Sequence, residues 1–528
     1  MSNNQIINSG SVLANTVREM YSEGQTDYSF EPVVVVDNMG EAIGKIKEND
    51  AVIFCCRRGE REIQLTEAFT QPNFDQFQNI SFNNLPFVIL TLYHDKFKDL
   101  PVAFAPVQMK ETLGEVVSNA GLAQSRISES EKFAHVTFFL NGGNNNPFAG
   151  EKDVCVPSPK GIPFEKVPEL KLDEVAEKVI ESISNNDDLI VTNFANGDVI
   201  GHTANREAKI KCAEVIDRNL DKVVAAAREA GYVTLITADH GNLEELDNED
   251  GTPNVSHTSN LVDFILIDPT AAVKIQLKNG KLADVAPTIL SAFGLHQPTA
   301  MTGGSLVKDH DFGANRKVLL IILDGWGIGK QDESNPIFLA KTPTWDKLLA
   351  SESTSTLEAS GEAVGLQAKK AGNSEAGHMN LGAGRVVLQD DVRLDAAMQD
   401  GSFYENATLL QAIDHAINNK NKLHLIGLLT IKSSHGSIDY PLAILKMAKE
   451  RGLEDVCLHL IFDGRSTEPG SVPSLLEMMD EKINAIGVGQ IVSGIGRGIA
   501  LDRDGNYAKT EKAYNAFVFG KGRPSFMK

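Results

Sequence analysis

The sequence has few cysteines, no long apolar run and no excess of basic residues. Its 528 residues include five cysteines, none of them in a CxxC pair, so neither a disulfide framework nor a thiolate metal site is indicated. No apolar stretch approaches the roughly 20 residues that a membrane-spanning helix needs. The chain begins MSNNQIINSGSV, without the basic and apolar regions of a secretory signal. These absences predict a cytoplasmic protein that binds no membrane.

Acidic residues outnumber basic ones in this chain. Asp and Glu total 71 against 50 for Lys and Arg, which gives a formal net charge of −21. Nucleic acids are bound through basic surfaces, so nucleic acid is not expected as a partner. An anionic small molecule would instead need a local basic pocket in an acidic protein. The length exceeds that of one ordinary domain and predicts two domains or a core with an insertion.

Short β-rich apolar segments alternate with longer amphipathic ones, which is typical of an α/β protein with a mostly parallel sheet. The candidate strands are residues 189–194, 233–238, 264–268 and 318–323. Between the first two, apolar residues from Ile210 to Ala227 recur at helical spacing, and Gly231 marks the end of that helix. Residues 308–316 (KDHDFGANR) lack any periodicity and predict a surface linker.

Three of these strands lead directly into polar motifs, which contain Asp198, the pair Asp239 and His240, and Asp324. Open α/β sheets bind ligands at the carboxyl ends of their strands, so these side chains converge if the strands are neighbours. One helical turn would place Asp198 and His202 on the same face. Together with His257 they form a set of Asp and His side chains that suits Mn²⁺, Zn²⁺ or Mg²⁺. Two such ions about 3.5–4 Å apart commonly assist displacement at phosphorus.

A glycine-rich segment around Ser374 supplies a candidate nucleophile. The segment AGNSEAGHMNLGAGR (371–385) predicts a turn that opens into a helix, and such a turn lets the backbone approach an anion. A serine hydroxyl becomes a good nucleophile when a base or a metal lowers its pKa. No Ser-His-Asp arrangement flanks Ser374, so metal activation is the simpler hypothesis. The alternative is that Ser374 merely caps the helix.

Basic residues that could bind a phosphate or a carboxylate are spread over several segments. Arginine binds such groups through two parallel hydrogen bonds. The candidates are Arg58, Arg61, Lys132, Arg465, Arg497 and Arg503. Taken alone, each of them is better explained as a solvated surface charge.

Several motifs resemble the signature segments of one enzyme family, the cofactor-independent phosphoglycerate mutases of the alkaline-phosphatase superfamily. These motifs are LDGWG, GNSEAGH with the following GAGR, NFANGDVIGHT, TADHGN, SHTSN and EKFAHVTFF. The resemblance implies an alkaline-phosphatase-like, mostly parallel sheet domain and a second α/β phosphotransferase domain. It also implies interconversion of 3-phosphoglycerate and 2-phosphoglycerate through a phosphoserine, without bisphosphoglycerate. The alternatives are a metal-dependent phosphohydrolase, a mutase of another phosphorylated metabolite, or a non-catalytic protein that keeps the fold.

The order of these segments is rotated relative to the family. There LDGWG lies near the amino terminus and HTSN near the carboxyl terminus, whereas here the HTSN half comes first. This order predicts a circular permutation, whether natural or engineered. The phosphatase-like domain would then be contiguous at residues 107–387, and the phosphotransferase-like domain would be split into residues 1–106 and 388–528.

The resemblance implies a role for each matching residue. One divalent metal would be held by Asp198, His202 and His257, and a second by Asp239, His240, Asp324 and Ser374. Manganese is the expected metal, with Mg²⁺, Co²⁺ or Zn²⁺ as alternatives, and Ser374 would be phosphorylated during turnover. The residues expected to bind the phosphoglycerate substrate are Arg58, Arg61, Lys132, His435, Arg465, Ser466, Arg497 and Arg503. The family also predicts a monomer.

The phosphotransferase-like half departs from the family pattern. Ser466 lies in DGRST where the family has DGRDT, TIKSSHGS (430–437) replaces SDGGVHSH, and RRGER (57–61) replaces FRPDR. The change from Asp to Ser removes a candidate general acid or base, so the sequence leaves proton transfer on the glycerate unassigned. Glu468 and Asp463 are nearby acidic residues that could compensate for it.

Overall fold

The computed structural model describes residues 8–57, 61–106, 109–433 and 435–527. Backbone contacts divide the chain into two compact units. The contiguous unit is Val107–Val392, and the split unit is Met1–Pro106 together with Arg393–Lys528. The contacts thus place the second boundary after Val392, whereas the sequence prediction ended the contiguous domain at residue 387.

The strands of the described residues are short and mostly buried. They are β1 (Val33–Val36), β2 (Ala51–Phe54), β3 (Phe87–Thr91), β4 (Val102–Phe104), β5 (Gln124–Glu129), β6 (Glu151–Val156), β7 (Leu189–Phe194), β8 (Val233–Thr237), β9 (Val262–Ile267), β10 (Gly280–Lys281), β11 (Val318–Leu323), β12 (Ser353–Glu358), β13 (Leu423–Leu429), β14 (Val456–Phe462), β15 (Gln490–Gly496) and β16 (Arg523–Phe526).

Helices alternate with these strands in both units. They are α1 (Ser9–Ser22), α2 (Ile63–Thr70), α3 (Leu113–Asn119), α4 (Leu172–Ser184), α5 (Asn196–Gly201), α6 (Arg206–Glu229), α7 (Val285–Phe293), α8 (Pro336–Leu339), α9 (Pro343–Ser351), α10 (Ser374–Ala383), α11 (Asp390–Asp400), α12 (Ala407–Asn419), α13 (Asp439–Glu450), α14 (Val472–Ile486), α15 (Arg497–Ala500) and α16 (Tyr507–Phe519). Short 3-10 turns lie at Asp95–Phe97, Phe164–Lys166, Leu282–Asp284, Gly361–Val364 and Ser402–Glu405, and a π-helical turn lies at His135–Phe139.

The contiguous unit is built on a sheet whose described strands follow the order β10-β12-β9-β8-β11-β7-β5-β6. Its central strands β8, β11 and β7 run parallel to one another, with Val318 opposite both Val233 and Leu189. All three strands are fully buried, as expected for parallel strands covered by helices on both faces. The strands predicted at residues 189–194 and 318–323 are therefore confirmed, and those predicted at 233–238 and 264–268 differ only at their ends.

Helix α6 connects β7 to β8, as its apolar periodicity predicted. The side chain of Asn205 accepts a hydrogen bond from the backbone N–H of Ala208 and so caps its first turn. The residues from Ala213 to Ala227 at helical spacing are buried against the sheet. Gly231 adopts a φ of 77° directly after the helix, a conformation that glycine tolerates best.

The split unit has a sheet of the same kind, with the order β16-β1-β15-β14-β13-β2-β3-β4 among its described strands. Strand β1 is antiparallel to β15, and the other neighbouring strands pair in parallel. Each unit thus has a mostly parallel sheet with its own hydrophobic core. The predicted α/β class with two sheet-based domains is confirmed.

The predicted linker, residues 308–316, is irregular but is not simply a solvated surface segment. Phe312 is 4 % exposed and packs in the core of the contiguous unit. The Nε2 atom of His310 lies 3.1 Å from Asp268, and the guanidinium of Arg316 lies 2.6 Å from the other oxygen of that carboxylate. The linker is therefore fixed to the residue that follows β9.

Among the described helices, none has both the length and the apolarity of a membrane span.

Candidate functional site

The polar motifs of the contiguous unit meet at the carboxyl ends of β7, β11 and β8. Asp324 directly follows β11, Asp239 and His240 follow β8, and Asp198 lies in α5, which begins just after β7. Because these strands are parallel neighbours, their carboxyl ends share one edge of the sheet. The strands are thus neighbours, which is what the convergence of these side chains required.

Two glycines allow helix α5 to lie directly against the turn after β11. Gly325 has a φ of 73°, and a Cβ atom there would lie 2.8 Å from the backbone N of Asp198. A Cβ atom on Gly197 would lie 2.4 Å from the carbonyl oxygen of Asp324. Contacts this short exclude any side chain, so both glycines are needed to bring the two aspartates together.

Asp198, His202 and His257 form one convergent group. The Nε2 atoms of His257 and His202 lie 2.9 Å and 3.3 Å from Oδ1 of Asp198, and 3.1 Å from each other. The Nδ1 atom of His202 donates to the carbonyl oxygen of Val255 and that of His257 to the carbonyl oxygen of Gly372, each at 2.8 Å. That donation fixes the ring orientation and directs both Nε2 atoms inward, which is the usual arrangement of metal-binding histidines.

Asp239, His240, Asp324 and Ser374 form a second group beside the first. The Nε2 atom of His240 lies 2.9 Å from Oγ of Ser374, 3.4 Å from Asp239 and 3.6 Å from Asp324. It also lies 3.8 Å from Asp198, so His240 lies between the two groups. In the set Asp198, His240 and His257, one ligand atom from each residue lies within 4.8 Å of the other two. The same is true of the set Asp239, His240 and Asp324.

Lys132 lies within this cluster, although the sequence assigned it to substrate binding. Its Nζ atom lies 2.7 Å from Asp198, 2.8 Å from Asp324 and 2.6 Å from Oγ of Ser374. Burial alone would lower the pKa of Lys132, but the Asp324 and Asp198 carboxylates outweigh that effect and raise it above its usual range. Lys132 therefore stays charged and interacts directly with the candidate nucleophile.

Ser374 is the first residue of α10 but does not cap it. The side chain of Asn373 does so, because its oxygen accepts a hydrogen bond of 2.9 Å from the backbone N–H of Ala376. The Ser374 hydroxyl instead contacts Lys132, His240 and Asp324. The capping alternative is thereby removed, and the hydroxyl is directed into the carboxylate cluster.

The donor set fits divalent metal ions. Asp198, Asp239 and Asp324 are all buried, and Lys132 is the cation that contacts two of them. Burial and the neighbouring Asp239 raise the pKa of Asp324, which reflects an excess of negative charge. Buried carboxylates in such excess are costly unless cations balance them. Carboxylate oxygens, imidazole nitrogens and a hydroxyl are ligands that Mn²⁺, Zn²⁺ and Mg²⁺ accept.

Two side chains to which the sequence assigned no role, Asn193 and His378, support this cluster. Asn193 donates to Oδ2 of Asp324 at 2.6 Å, and its Nδ2 atom lies 3.0 Å from Nε2 of His378. The Nδ1 atom of His378 lies 3.3 Å from Asp239. The available signals were an amide inside the apolar strand β7, which needs a partner when buried, and the spacing of four residues between Ser374 and His378 on one helix.

Glu244 is a third residue that the sequence did not single out. Its buried carboxylate accepts hydrogen bonds from the backbone N–H groups of Asn242 and Gly327, at 2.8 Å and 3.0 Å, and from the hydroxyl of Thr258. These partners belong to the loops that carry His240, Asp324 and His257. Glu244 thus connects the three loops that position the ligands.

Most of the predicted substrate-binding residues lie in the split unit. Four strands of its sheet are parallel neighbours in the order β15-β14-β13-β2. Arg61 follows β2, and the loops after β13, β14 and β15 lie at the same edge of the sheet. His435, Arg465, Ser466, Arg497 and Arg503 belong to these loops or begin the helix that follows. This edge of the sheet is called here the basic edge. Arg58 lies outside the described residues.

Side-chain contacts differ along the basic edge. Arg61 and Arg497 are buried: Arg61 donates to the carbonyl oxygen of Leu501 at 3.0 Å, and Arg497 forms an ion pair with Asp463. The Nδ1 atom of His435 lies 3.1 Å from Oε1 of Glu62. Arg465, Ser466 and Arg503 are exposed. The structure therefore groups the described residues of this set at one sheet edge, except Lys132, which belongs to the contiguous unit.

Two family models match this chain. Residues 6–297 match the metalloenzyme superfamily, and residues 394–527 match the BPG-independent PGAM N-terminus. A segment described as an N-terminus thus matches the C-terminal part of this chain.

Curated relatives are named 2,3-bisphosphoglycerate-independent phosphoglycerate mutase. The one from Methanococcoides burtonii is 41% identical over 300 residues, which cover 56% of this chain and 57% of the relative. The one from Akkermansia muciniphila is 42% identical over 295 residues, which cover 56% of each chain. One from Methanosarcina barkeri is 44% identical over 55% of this chain and 56% of its own length. This chain thus spans about half the length of the curated relatives it matches.

A crystal structure of Leishmania mexicana phosphoglycerate mutase at low cobalt concentration aligns with 52% of this chain and 53% of its own chain, with a TM-score of 0.41 and 26% identity.

The family models and curated relatives confirm the resemblance that the motifs indicated. The superfamily match covers more than half of the chain and implies that it binds divalent metal. The chain therefore belongs to the metalloenzyme superfamily.

Proposed function

We propose that this protein interconverts 3-phosphoglycerate and 2-phosphoglycerate through a phosphoserine on Ser374, with two divalent metal ions and without bisphosphoglycerate. The observation that carries the proposal is the position of the Ser374 hydroxyl, which contacts Lys132, His240 and Asp324 while Asn373 caps the helix. A hydroxyl so placed is suited to nucleophilic attack rather than to capping. The names of the curated relatives support the same reaction.

Two sets of residues would hold the metal ions. Asp198, His202 and His257 would bind one ion, and Asp239, His240, Asp324 and Ser374 would bind the other. Bound there, the ions would supply Lewis-acid stabilisation of the charge on the attacking and leaving oxygens. We propose Mn²⁺ as the metal, because the donors are nitrogen and oxygen atoms without sulfur.

Lys132 and the basic edge would divide the remaining work. The charged Nζ atom of Lys132 donates to Oγ of Ser374 and would stabilise the negative charge of the phosphoryl group during transfer. The arginines of the basic edge would hold the carboxylate and phosphate of the substrate. Because water would hydrolyse the phosphoserine, the glycerate must stay bound between the two half-reactions.

We also propose that the chain is a circular permutation of its family. The match of the family's N-terminal segment to residues 394–527 supports it. So does the contact between two segments that the family order would place next to each other, because the Oγ1 atom of Thr16 in α1 lies 2.9 Å from Oγ of Ser525 in β16. Permutation is tolerated where chain ends lie close together. The contiguous unit would then be the phosphatase-like domain and the split unit the phosphotransferase-like domain of a monomeric cytoplasmic enzyme.

Phosphorus NMR of the purified protein with 3-phosphoglycerate and Mn²⁺, without added bisphosphoglycerate, tests the proposed function. We expect the 2-phosphoglycerate signal to grow. Release of inorganic phosphate alone would instead identify a phosphohydrolase, an outcome that Ser466 in place of the family Asp makes worth measuring. The absence of both products would contradict the proposal.

A further inference from the structure

A buried glutamate in the split unit has a contact that the proposed function does not explain. Glu62 immediately precedes α2, and its side chain is fully buried. Its Oε1 atom lies 3.1 Å from Nδ1 of His435, and its Oε2 atom is buried without a hydrogen-bond partner among the described residues. Buried carboxylates are costly, and one that is retained beside a histidine invites a functional explanation.

The backbone holds this pair in place. The backbone N–H of Arg57 donates to the carbonyl oxygen of His435 at 3.0 Å, and its guanidinium donates to the carbonyl oxygen of Ser433 at 2.5 Å. Cys56 and Gly436 form an antiparallel bridge beside these bonds. The described residues around His435 are therefore paired with Cys56 and Arg57, which follow β2.

The other acidic candidates are unsuited to acting on His435. Asp463 forms an ion pair with Arg497, and Glu468 is exposed to solvent. Ser466 is also exposed and cannot accept a proton at neutral pH. Of Glu62, Asp463 and Glu468, Glu62 is the one in hydrogen-bond contact with His435.

The two side chains differ in their access to solvent. The side chain of His435 is 12% exposed, whereas that of Glu62 is not exposed. Burial raises the pKa of Glu62, although His435 and Arg497 oppose that effect. Cys56 and Tyr93 are further titratable groups, among the described residues, that interact with Glu62. The carboxylate thus faces inward, and the imidazole is the member of the pair that a substrate can reach.

We propose that Glu62 is a positioning residue for His435, and that the pair performs the proton transfer that Ser466 cannot. Glu62 accepts the hydrogen bond from Nδ1–H, fixes the tautomer with Nε2 as the reactive atom, and stabilises the imidazolium form. This inference rests on the proposed function, because it assigns the acid and base of that reaction.

The proton balance closes within one turnover. In the first half-reaction Ser374 reacts as its oxyanion: its oxygen bonds to phosphorus as the bond between O3 and phosphorus breaks, and the His435 imidazolium gives its Nε2 proton to O3. In the second half-reaction the O2 hydroxyl gives its proton to neutral Nε2 as O2 bonds to phosphorus, and the seryl bond breaks to restore the Ser374 oxyanion. The imidazolium is thereby restored, and no outside proton donor is needed.

Glu62→Gln is the first test, because glutamine keeps the size and the acceptor oxygen but not the charge. In the phosphorus NMR assay we expect kcat to fall by about 10²-fold, the loss typical of impaired acid–base catalysis, while KM changes by less than about 3-fold. Glu67→Gln is the matched control, since Glu67 is a buried carboxylate of α2 that contacts Lys96 and Tyr507. We expect it to keep the wild-type kcat.

A double-mutant cycle separates positioning from packing. If Glu62 acts through His435, then Glu62→Gln adds little to the loss caused by His435→Gln, and both single variants lower kcat to a similar extent. Additive losses would overturn the assignment, as would a wild-type kcat in either single variant. His435→Gln also decides the matter if Glu62→Gln does not fold.

Turnover by the wild-type enzyme separates a failure of the proposed function from a failure of the role proposed for Glu62. If it forms no 2-phosphoglycerate, the proposed function fails and the role of Glu62 fails with it. If it forms 2-phosphoglycerate and Glu62→Gln does so at the same rate, the role of Glu62 alone is overturned.

Discussion

The Nζ atom of Lys132 lies 2.6 Å from the Oγ atom of Ser374. The same Nζ atom bridges the carboxylates of Asp198 and Asp324, which the proposal assigns to different metal ions. A single lysine thus contacts the candidate nucleophile and a ligand from each metal group. In the proposed reaction Lys132 would therefore act beside Ser374 rather than as a residue of the basic edge.

Lys132→Met should therefore impair chemistry and destabilise the metal-free protein. Loss of the ammonium removes a charge aimed at the transferring phosphoryl group, and we expect kcat to fall by at least about 10²-fold. Without metal, the unpaired buried carboxylates should cost about 3–5 kcal/mol of unfolding free energy. NMR turnover and urea unfolding in EDTA measure the two effects. The exposed Lys166→Met is the control, and wild-type turnover of Lys132→Met would contradict the assignment.

Ser374→Ala should abolish turnover without unfolding the protein. The change removes only the hydroxyl, and the cap of α10 stays because Asn373 provides it. We expect a loss of at least about 10³-fold in kcat, as for other nucleophile deletions, and no phosphorylated serine by mass spectrometry after incubation with 3-phosphoglycerate. Ser351→Ala at the end of α9 serves as control. Mutase activity in the Ser374 variant would rule out a phosphoserine at this position.

The metal content should reflect two separate groups of ligands. We expect about two divalent ions per chain in the holoenzyme, and about one after His257→Ala, because that side chain belongs to one group only. Elemental analysis after desalting measures the ratio. Removal of metal by EDTA should lower the melting temperature, since an ion that binds only the folded state stabilises it. An unchanged metal ratio in the His257 variant would contradict the proposed division of ligands.

Gly377→Ala should displace the nucleophile helix from the strand that carries Asp239. A Cβ atom at this position would lie 2.6 Å from the carbonyl oxygen of Asp239 and 2.8 Å from its Cβ atom. Overpacking of this kind costs about 1–3 kcal/mol, and we expect kcat to fall at least about 10-fold because the geometry between Ser374 and His240 changes. Glu375→Ala, on the exposed face of the same helix, is the control. Unchanged kinetics would show that the helix position is not critical.

Asp263→Asn should stabilise the protein at neutral pH but not in acid. Burial raises the pKa of Asp263 to about 6, above the value of about 3.9 expected in the unfolded chain. Between these values the unfolded chain loses its proton first, so stability falls as the pH rises from about 4 to about 6 and then stays lower by up to about 3 kcal/mol. Urea unfolding below about pH 4 and above about pH 6 measures how much the substitution changes the unfolding free energy. The exposed Asp221→Asn is the control. An equal effect at both extremes would contradict the titration of Asp263.

The sequence by itself determined much of the contiguous unit. The apolar segments at residues 189–194 and 318–323 were short, continuous, β-rich and followed by polar motifs, so their burial and the α/β class could be predicted. Asp239, His240 and Asp324 could be named as candidate ligands because they follow apolar strands, and Asp198 and His202 because they are four residues apart, with His257 completing the set. The spacing of the motifs along the chain carries this information without any structure.

Only the tertiary structure decided which of these side chains act together. The position of Lys132 depends on a strand that is distant from Ser374 in sequence, and no local pattern reports such a contact. The same holds for Glu62 and His435, which are separated by more than 370 residues and meet because β2 and β13 pair in parallel. Strand order brings such residues together, and it depends on the packing of the whole chain rather than on any segment of it.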